Sequence, residues 1–232
     1  MDSNKHDIEK EFKDFVYIVS HDFRAPVRHV KEFTRLMNEA IERGDEASVE
    51  TYRSYITQSA DKMERMLDAI LLYSRINTQP TPPEMIDMDD VLSRVFDRLE
   101  VHHPRARDII RIEKTVSFWA DPSQFEDVFY YLLDNALEYN DKGAEARVSL
   151  VGEETSEGVS YIVKDNGIGI PEIALDQVFV MYRQMKPNQD GHNIGAGLAL
   201  VKKIIDRHDG SVSIKSTVGE GTEVAFTVPK KA

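Results

Sequence analysis

The sequence predicts an α+β protein: a long helical hairpin, then a body of shorter helices and strands. Three observations carry that expectation. Apolar residues recur at three- and four-residue steps over two long stretches, the period of an amphipathic helix. The second stretch ends at Pro80-Thr81-Pro82-Pro83, where proline cannot continue a helix. Past that break, short helical runs mix with period-two alternation and paired glycines.

The first stretch passes through Phe12, Phe15, Val16, Val19, Phe23, Pro26, Val27, Val30, Phe33, Met37 and Ile41, which predicts a helix from Ile8 to Arg43 stopping at Gly44-Asp45. At about 100° per residue these positions cover roughly half the circumference, and His21 falls about 150° from the centre of the stripe. His21 is therefore expected to face water. Asp22 supplies a carboxylate that can hold one ring nitrogen and raise the basicity of the other. Pro26 removes a backbone donor four residues later and is expected to kink or loosen the helix there. Arg24, Arg28, Lys31 and Arg35 share the His21 face, a local positive stripe in an acidic chain.

Tyr52, Tyr55, Ile56, Met63, Met66, Leu67, Ile70, Leu71, Tyr73 and Ile76 mark one face of the second helix, which returns antiparallel to the first. A hairpin of two such helices cannot cover its own apolar surface, so a homodimer forming a four-helix bundle is expected. The break between Asn77 and Glu84 divides the chain into domains 1–79 and 80–232.

In the second domain, a strand is expected at Met85 to Met88, Asp89 as an N-cap and a helix from Val91 to Val101. Ile110 to Ile112 and Val116 to Trp119 look extended. Asp121-Pro122-Ser123 opens a helix through Phe125, Val128, Phe129, Leu132 and Leu133 toward Tyr139, with proline at its tolerated first position. Val148 to Val151 and Val159 to Val163 alternate as a hairpin turning near Gly158. Ala196 to His208 reads as a helix, and Val212 to Ile214 with Glu223 to Val228 as closing strands.

With 232 residues, 41% hydrophobic and 30% charged, the chain has ample core material for one ordinary domain or two small ones. A net charge of −12 disfavours nucleic acid or an anionic membrane as a main partner, since both would repel it. No apolar run approaches the roughly 20 residues of a membrane span, and Met1 to Asp7 lack a signal-peptide pattern, so a cytoplasmic location without membrane contact is expected. The absence of cysteine removes disulfides and thiolate chemistry. A metal enzyme built on His102-His103 is a poor reading, because adjacent residues do not converge on one ion.

The last third carries Asp165-Asn166-Gly167-Ile168-Gly169, then Gly195-Ala196-Gly197-Leu198, then Gly219-Glu220-Gly221-Thr222. Glycines opening a helix make an anion cradle, because unpaired N–H groups and the positive helix end face a ligand the backbone can approach closely. Neither a P-loop lysine nor a dinucleotide fingerprint is present. Taken in order, the His21-Asp22 pair on a hairpin, Leu133-Asp134-Asn135-Ala136 on a helix and the three glycine motifs resemble the sensor histidine kinases of two-component signalling, over nearly the whole chain.

The resemblance implies a dimerising phosphoacceptor hairpin followed by an α/β sandwich of the gyrase and Hsp90 type that binds ATP and Mg²⁺. It implies that His21 accepts the phosphoryl group with Asp22 assisting, and that the group then passes to an aspartate of a response regulator receiver domain. It implies Asn135 as the Mg²⁺ ligand, Asp165 as acceptor for the adenine amine, and Gly167, Gly169, Gly195, Gly197, Leu198 and Thr222 as nucleotide-binding positions. Met185 to Asn193 is similar to the lid over ATP, preceded by Phe179 and Tyr182.

Four positions depart from the family pattern. Tyr131 stands where an asparagine is usual, and Glu138 where a base is common; an acid near the triphosphate would repel it unless Lys186 or Arg183 compensates. Arg183 directly follows Tyr182, one place earlier than the arginine of the family's Phe-x-x-Phe-x-Arg hinge motif. Ala25, four residues after His21, replaces the Thr or Asn of members with phosphatase activity, which implies little dephosphorylation of the regulator. The alternative function is a degenerate, kinase-like dimer acting as a binding or phosphotransfer scaffold.

Overall fold

A computed structural model describes residues 2–79, 81–184 and 193–230, with side chains from His21 onward except that of Asn77. Its contacts divide into two units, residues 1–71 with 181–196, and residues 72–180 with 197–232.

The first unit is a helical hairpin. Helix α1 (Asp2–Arg43) starts six residues before the expected Ile8 and runs on through Pro26. Helix α2 spans Glu46–Thr78. The turn between them needs Gly44, whose φ of 70° is disfavoured for a residue with a Cβ. Asp45 then caps α2, accepting from Ser48 N at 3.2 Å and from Ser48 Oγ at 2.6 Å. Those bonds, the hydroxyl's first, lower the Asp45 carboxyl from its ordinary value. Phe33 packs tilted on Tyr55, ring centroids 4.9 Å apart. Val27, Ile41, Tyr55, Leu67 and Leu71 nonetheless remain exposed along the hairpin.

The second unit is a sheet covered by helices. Strands β1 (Glu84–Met85) and β3 (Trp119–Ala120) form a small antiparallel pair. Helix α3 (Met88–Glu100) is capped by Asp87, not Asp89, and the strand before it is shorter than expected. Met88 is buried, so the helix begins early enough to put that side chain in the core. A short helix α4 (Ala106–Ile109), unheralded by periodicity, leads into β2 (Ile110–Lys114). Helix α5 (Pro122–Glu138) starts at the Asp121 cap as expected.

The remaining strands are β4 (Val148–Glu154), β5 (Gly158–Asp165), β6 (Ser211–Thr217) and β7 (Gly221–Pro229), with α6 (Gly197–Arg207) before β6. The five-stranded order is β2-β4-β5-β7-β6, with β2 and β4 parallel and the rest antiparallel. Period-two alternation buries Val148, Leu150, Val159, Tyr161, Val163, Val224, Phe226 and Val228 beneath α5 and α6.

Aromatic rings make the centre of this layer. Phe118 meets Phe125 edge-on at 4.7 Å, and Phe129 meets Tyr161 at 5.0 Å. The Tyr161 hydroxyl donates to Val116 O at 2.6 Å and accepts from Val116 N at 2.8 Å, while burial pushes its phenol up to about 12. Phe125 is fully buried. Phe125→Ala should therefore cost about 3–5 kcal/mol of stability, read as a lower urea midpoint.

Candidate functional site

The hairpin unit carries His21. Its side chain is 67% exposed, and Nδ1 lies 3.0 Å from Asp22 Oδ1, so the carboxylate orients the imidazole from the same helix. Of the basic stripe, Arg24, Arg28 and Lys31 are exposed. Arg35 is spent locally: it pairs with Glu32 at 2.5 Å and with Glu39, so the positive face is shorter than the sequence implied. Ala25 is half-buried one turn beyond His21.

The same unit includes the chain from Met181 to Ala196. The Tyr182 hydroxyl donates to Met66 O on α2 at 2.9 Å, and its backbone N–H donates to Gly195 O at 2.8 Å. Burial, with the Asp22 charge adding to it, lifts this phenol above its ordinary range. Gly195 has a φ of 75°, and a Cβ there would meet Arg183 O at 2.6 Å. The expected lid at 185–192, with Lys186, lies outside the described residues.

In the α/β unit, Asp165 ends β5 and organises the turn after it. Its Oδ1 accepts from Gly167 N at 2.7 Å and Thr222 N at 3.1 Å, which ties two glycine motifs to one carboxylate. Burial raises the carboxyl above its ordinary value and outweighs those two bonds, which lower it. A Cβ on Gly167 would meet Tyr139 O at 2.3 Å, and one on Gly169 would meet Thr217 O at 2.1 Å, so both glycines are close backbone approaches within the fold.

Gly197 begins α6, with half-buried Leu198 next. A Cβ at Gly197 would lie 3.1 Å from Tyr131 Cδ1 and 3.3 Å from Asn135 Nδ2. One face of α5 thus sets Asn135 and Tyr131 beside the first turn of α6. Burial raises the Tyr131 phenol well beyond its usual range, so it stays neutral. Glu138 lies one turn beyond Asn135's row, half-buried near the end of α5.

Several supporting groups carry little signal in the sequence. Ser216 Oγ donates to Gly221 O and accepts from Ile170 N, both at 2.8 Å, and lies 2.9 Å from Thr222 Oγ1. Asn166 Oδ1 accepts from Arg147 N at 2.8 Å and Asn140 Nδ2 at 3.0 Å. His103 Nε2 lies 3.0 Å from Asp134 Oδ1, next in sequence to Asn135. No spacing rule links pairs such as Asn140 with Asn166, His103 with Asp134 or Ile170 with Ser216, which are 26 to 46 residues apart; only the Asn-Gly turn signal hints at Asn166.

Residues 13–79 match the His Kinase A (phospho-acceptor) domain, and residues 120–232 match the histidine kinase-, DNA gyrase B- and HSP90-like ATPase. A phosphoacceptor match followed by an ATPase match in one chain supports a sensor histidine kinase. Cyanobacterial phytochrome A of Nostoc sp. is 26% identical over 227 residues, covering 97% of this chain and 30% of the phytochrome. The chain therefore spans about a third of the length of that relative. Among solved structures, histidine kinase ThkA in complex with the response regulator protein TrrA superposes with a TM-score of 0.71 at 19% identity, covering 94% of this chain and 61% of ThkA. Full-length ShkA in complex with AMPPNP gives 0.56 at 21% identity, covering 94% and 47%. These likenesses establish a histidine kinase fold of helical hairpin plus α/β sheet.

Proposed function

We propose that this chain phosphorylates its own His21 from ATP and passes the phosphoryl group to an aspartate of a response regulator. The observation that carries the reading is the oriented His21-Asp22 pair on an exposed helix face, in a chain that also holds the ATPase-type unit. With Nδ1–H donated to Asp22, the lone pair on Nε2 attacks the γ-phosphorus. A P–N bond forms as the bond to the β-phosphate oxygen breaks, ADP leaves, and Asp22 stabilises the positive ring.

The residues of the α/β unit fit the nucleotide. Both bonds to Asp165 land on Oδ1, which leaves Oδ2 for the adenine amine. Asn135 beside Gly197 offers an amide oxygen, a donor suited to Mg²⁺ that keeps waters and phosphates. Mg²⁺ would neutralise phosphate charge. Gly167, Gly169, Gly197, Leu198 and Thr222 of this unit, with Gly195 from the segment 181–196, complete the assignment. We place the domains at 1–79 and 80–232, supported by the family match that ends at residue 79.

Incubation with γ-labelled ATP and Mg²⁺ should give acid-labile, base-stable label. Absence of label despite measurable ATP binding would favour a binding or phosphotransfer scaffold instead. Tyr131 and Glu138, in place of an amide and a base, are the residues that favour that second reading.

The exposed Val27, Ile41, Tyr55, Leu67 and Leu71 support a homodimer that closes a four-helix bundle. Light scattering at micromolar concentration should give about twice the mass of the chain; a monomer mass refutes the dimer. No helix among the described residues is long and apolar enough to cross a membrane. We assign the chain to the cytoplasm, as part of a larger sensor. Ala25 cannot hydrogen-bond a water, so a purified phospho-regulator should decay at its intrinsic rate with the chain present; faster decay would contradict this.

A further inference from the structure

The first turn of α5 holds more than its own helix. Asp121 is buried and uses its two carboxylate oxygens differently. Oδ1 caps α5, accepting from Ser123 N at 3.1 Å and Gln124 N at 3.4 Å, while Oδ2 accepts from Thr81 N at 2.8 Å in the proline-rich linker. Gln124, also buried, donates Nε2 to Ile76 O at 3.3 Å. Ile76 lies in the last turn of α2, where carbonyls have no intrahelical partner, so Gln124 caps α2 from another helix. Gln124 Oε1 is buried without a hydrogen-bond partner, so the side chain is held for that single bond at a cost.

Further bonds secure the same stretch. Lys203 Nζ sits 5.1 Å from the Tyr73 ring centroid, and Ile86 N donates to Phe118 O at 2.9 Å. Ile76 is 1% exposed. Tyr73, Ile76, Thr81 and Ile86 are thus each fastened to the α/β unit, which takes in residues 72–180 and 197–232.

We propose that Asp121 and Gln124 are positioning residues for phosphoryl transfer, binding the end of α2 and the linker into the ATP-binding unit. The last turns of α2 then belong with that unit and not with the rest of the hairpin. The inference rests on the kinase reading for its kinetic consequence and on geometry for the clip itself. A clipped linker restricts where the ATP-binding unit can travel, and restricted travel raises the fraction of encounters in reacting geometry.

Asp121→Asn separates the two jobs of this side chain. Asparagine still caps a helix, but one of its two atoms is now a donor, so the cap and the Thr81 bond cannot both survive. Gln124→Leu leaves the Ile76 carbonyl without its bond but also removes the unpartnered Oε1, so the two effects offset and the change in fold stability should be small. Asp87→Asn, at the cap of α3, is the matched control. In the full chain, both clip variants should lower kcat for His21 phosphorylation about 10-fold with KM and Kd for ATP within about 2-fold. They should also speed hydrogen exchange at 72–79, leaving 46–70 unchanged. Unchanged exchange at 72–79, or kcat and ATP affinity falling together, would overturn the proposal. A wild-type chain that forms no phosphohistidine refutes the kinase reading, and the exchange result then decides the clip by itself.

Discussion

His21→Gln should eliminate acid-labile label from the chain, a loss of at least about 10³-fold in phosphorylation rate, because no other group at that position supplies a nucleophilic lone pair. The side chain is 67% exposed and pairs with its own sequence neighbour, so the substitution should leave the melting temperature unchanged within a degree or two. ATP affinity should also be unchanged, since Asn135, Asp165, Gly167, Gly169, Gly197, Leu198 and Thr222, proposed for the nucleotide, belong to the other unit. Asp22→Asn makes the companion test. It keeps an oxygen for Nδ1–H but removes the charge that stabilises the developing imidazolium, and should slow transfer by about 10- to 100-fold. Label persisting in His21→Gln would place the phosphoacceptor elsewhere.

Asp165→Asn should weaken ATP binding while leaving the fold at least as stable. An amide oxygen can still accept from Gly167 N and Thr222 N. What disappears is the charge, and a hydrogen bond to a charged acceptor contributes about 1.5–3 kcal/mol, roughly 10- to 100-fold in Kd. The sign of the stability change comes from the raised carboxyl. A folded-state pKa above the unfolded value means that ionisation costs stability at neutral pH, a cost that fades as pH falls through the raised pKa. Removing the ionisable group removes that cost. For binding the trend is opposite: wild-type affinity should decline on acidification, starting above the pH near 4 where an ordinary aspartate titrates, while Asp165→Asn stays flat. Calorimetric titration over a pH series measures both, and equal affinity for the two proteins at neutral pH would remove Asp165 from the nucleotide site.

Local rules were enough to find the hairpin and most of the α/β elements. Gly44 with Asp45, and Asp121 with Pro122, announce helix boundaries through backbone preference and capping, which act over four residues. The N-cap of α3 slipped from Asp89 to Asp87 because three aspartates compete there, and the burial of Met88 chose among them. The short α4 gave no periodic signal because four residues make one turn.

At the candidate site, His21 and Asp22 were legible because they are neighbours on one helix, and the glycine motifs because turns constrain composition locally. Residue identity and order name the groups that can do chemistry: an exposed imidazole with an adjoining carboxylate, an amide on α5, a carboxylate before a glycine turn. Tertiary structure decided how those groups are held. Asp165 joins Gly167 to Thr222 across 57 residues, and Asp121 and Gln124 reach back to Thr81 and Ile76. It also withdrew Arg35 into pairs with Glu32 and Glu39 and set Tyr131 against the first turn of α6. The division has a physical cause: chemical identity and capping are properties of a few adjacent residues, whereas pairing partners and burial exist only once distant segments have been brought together.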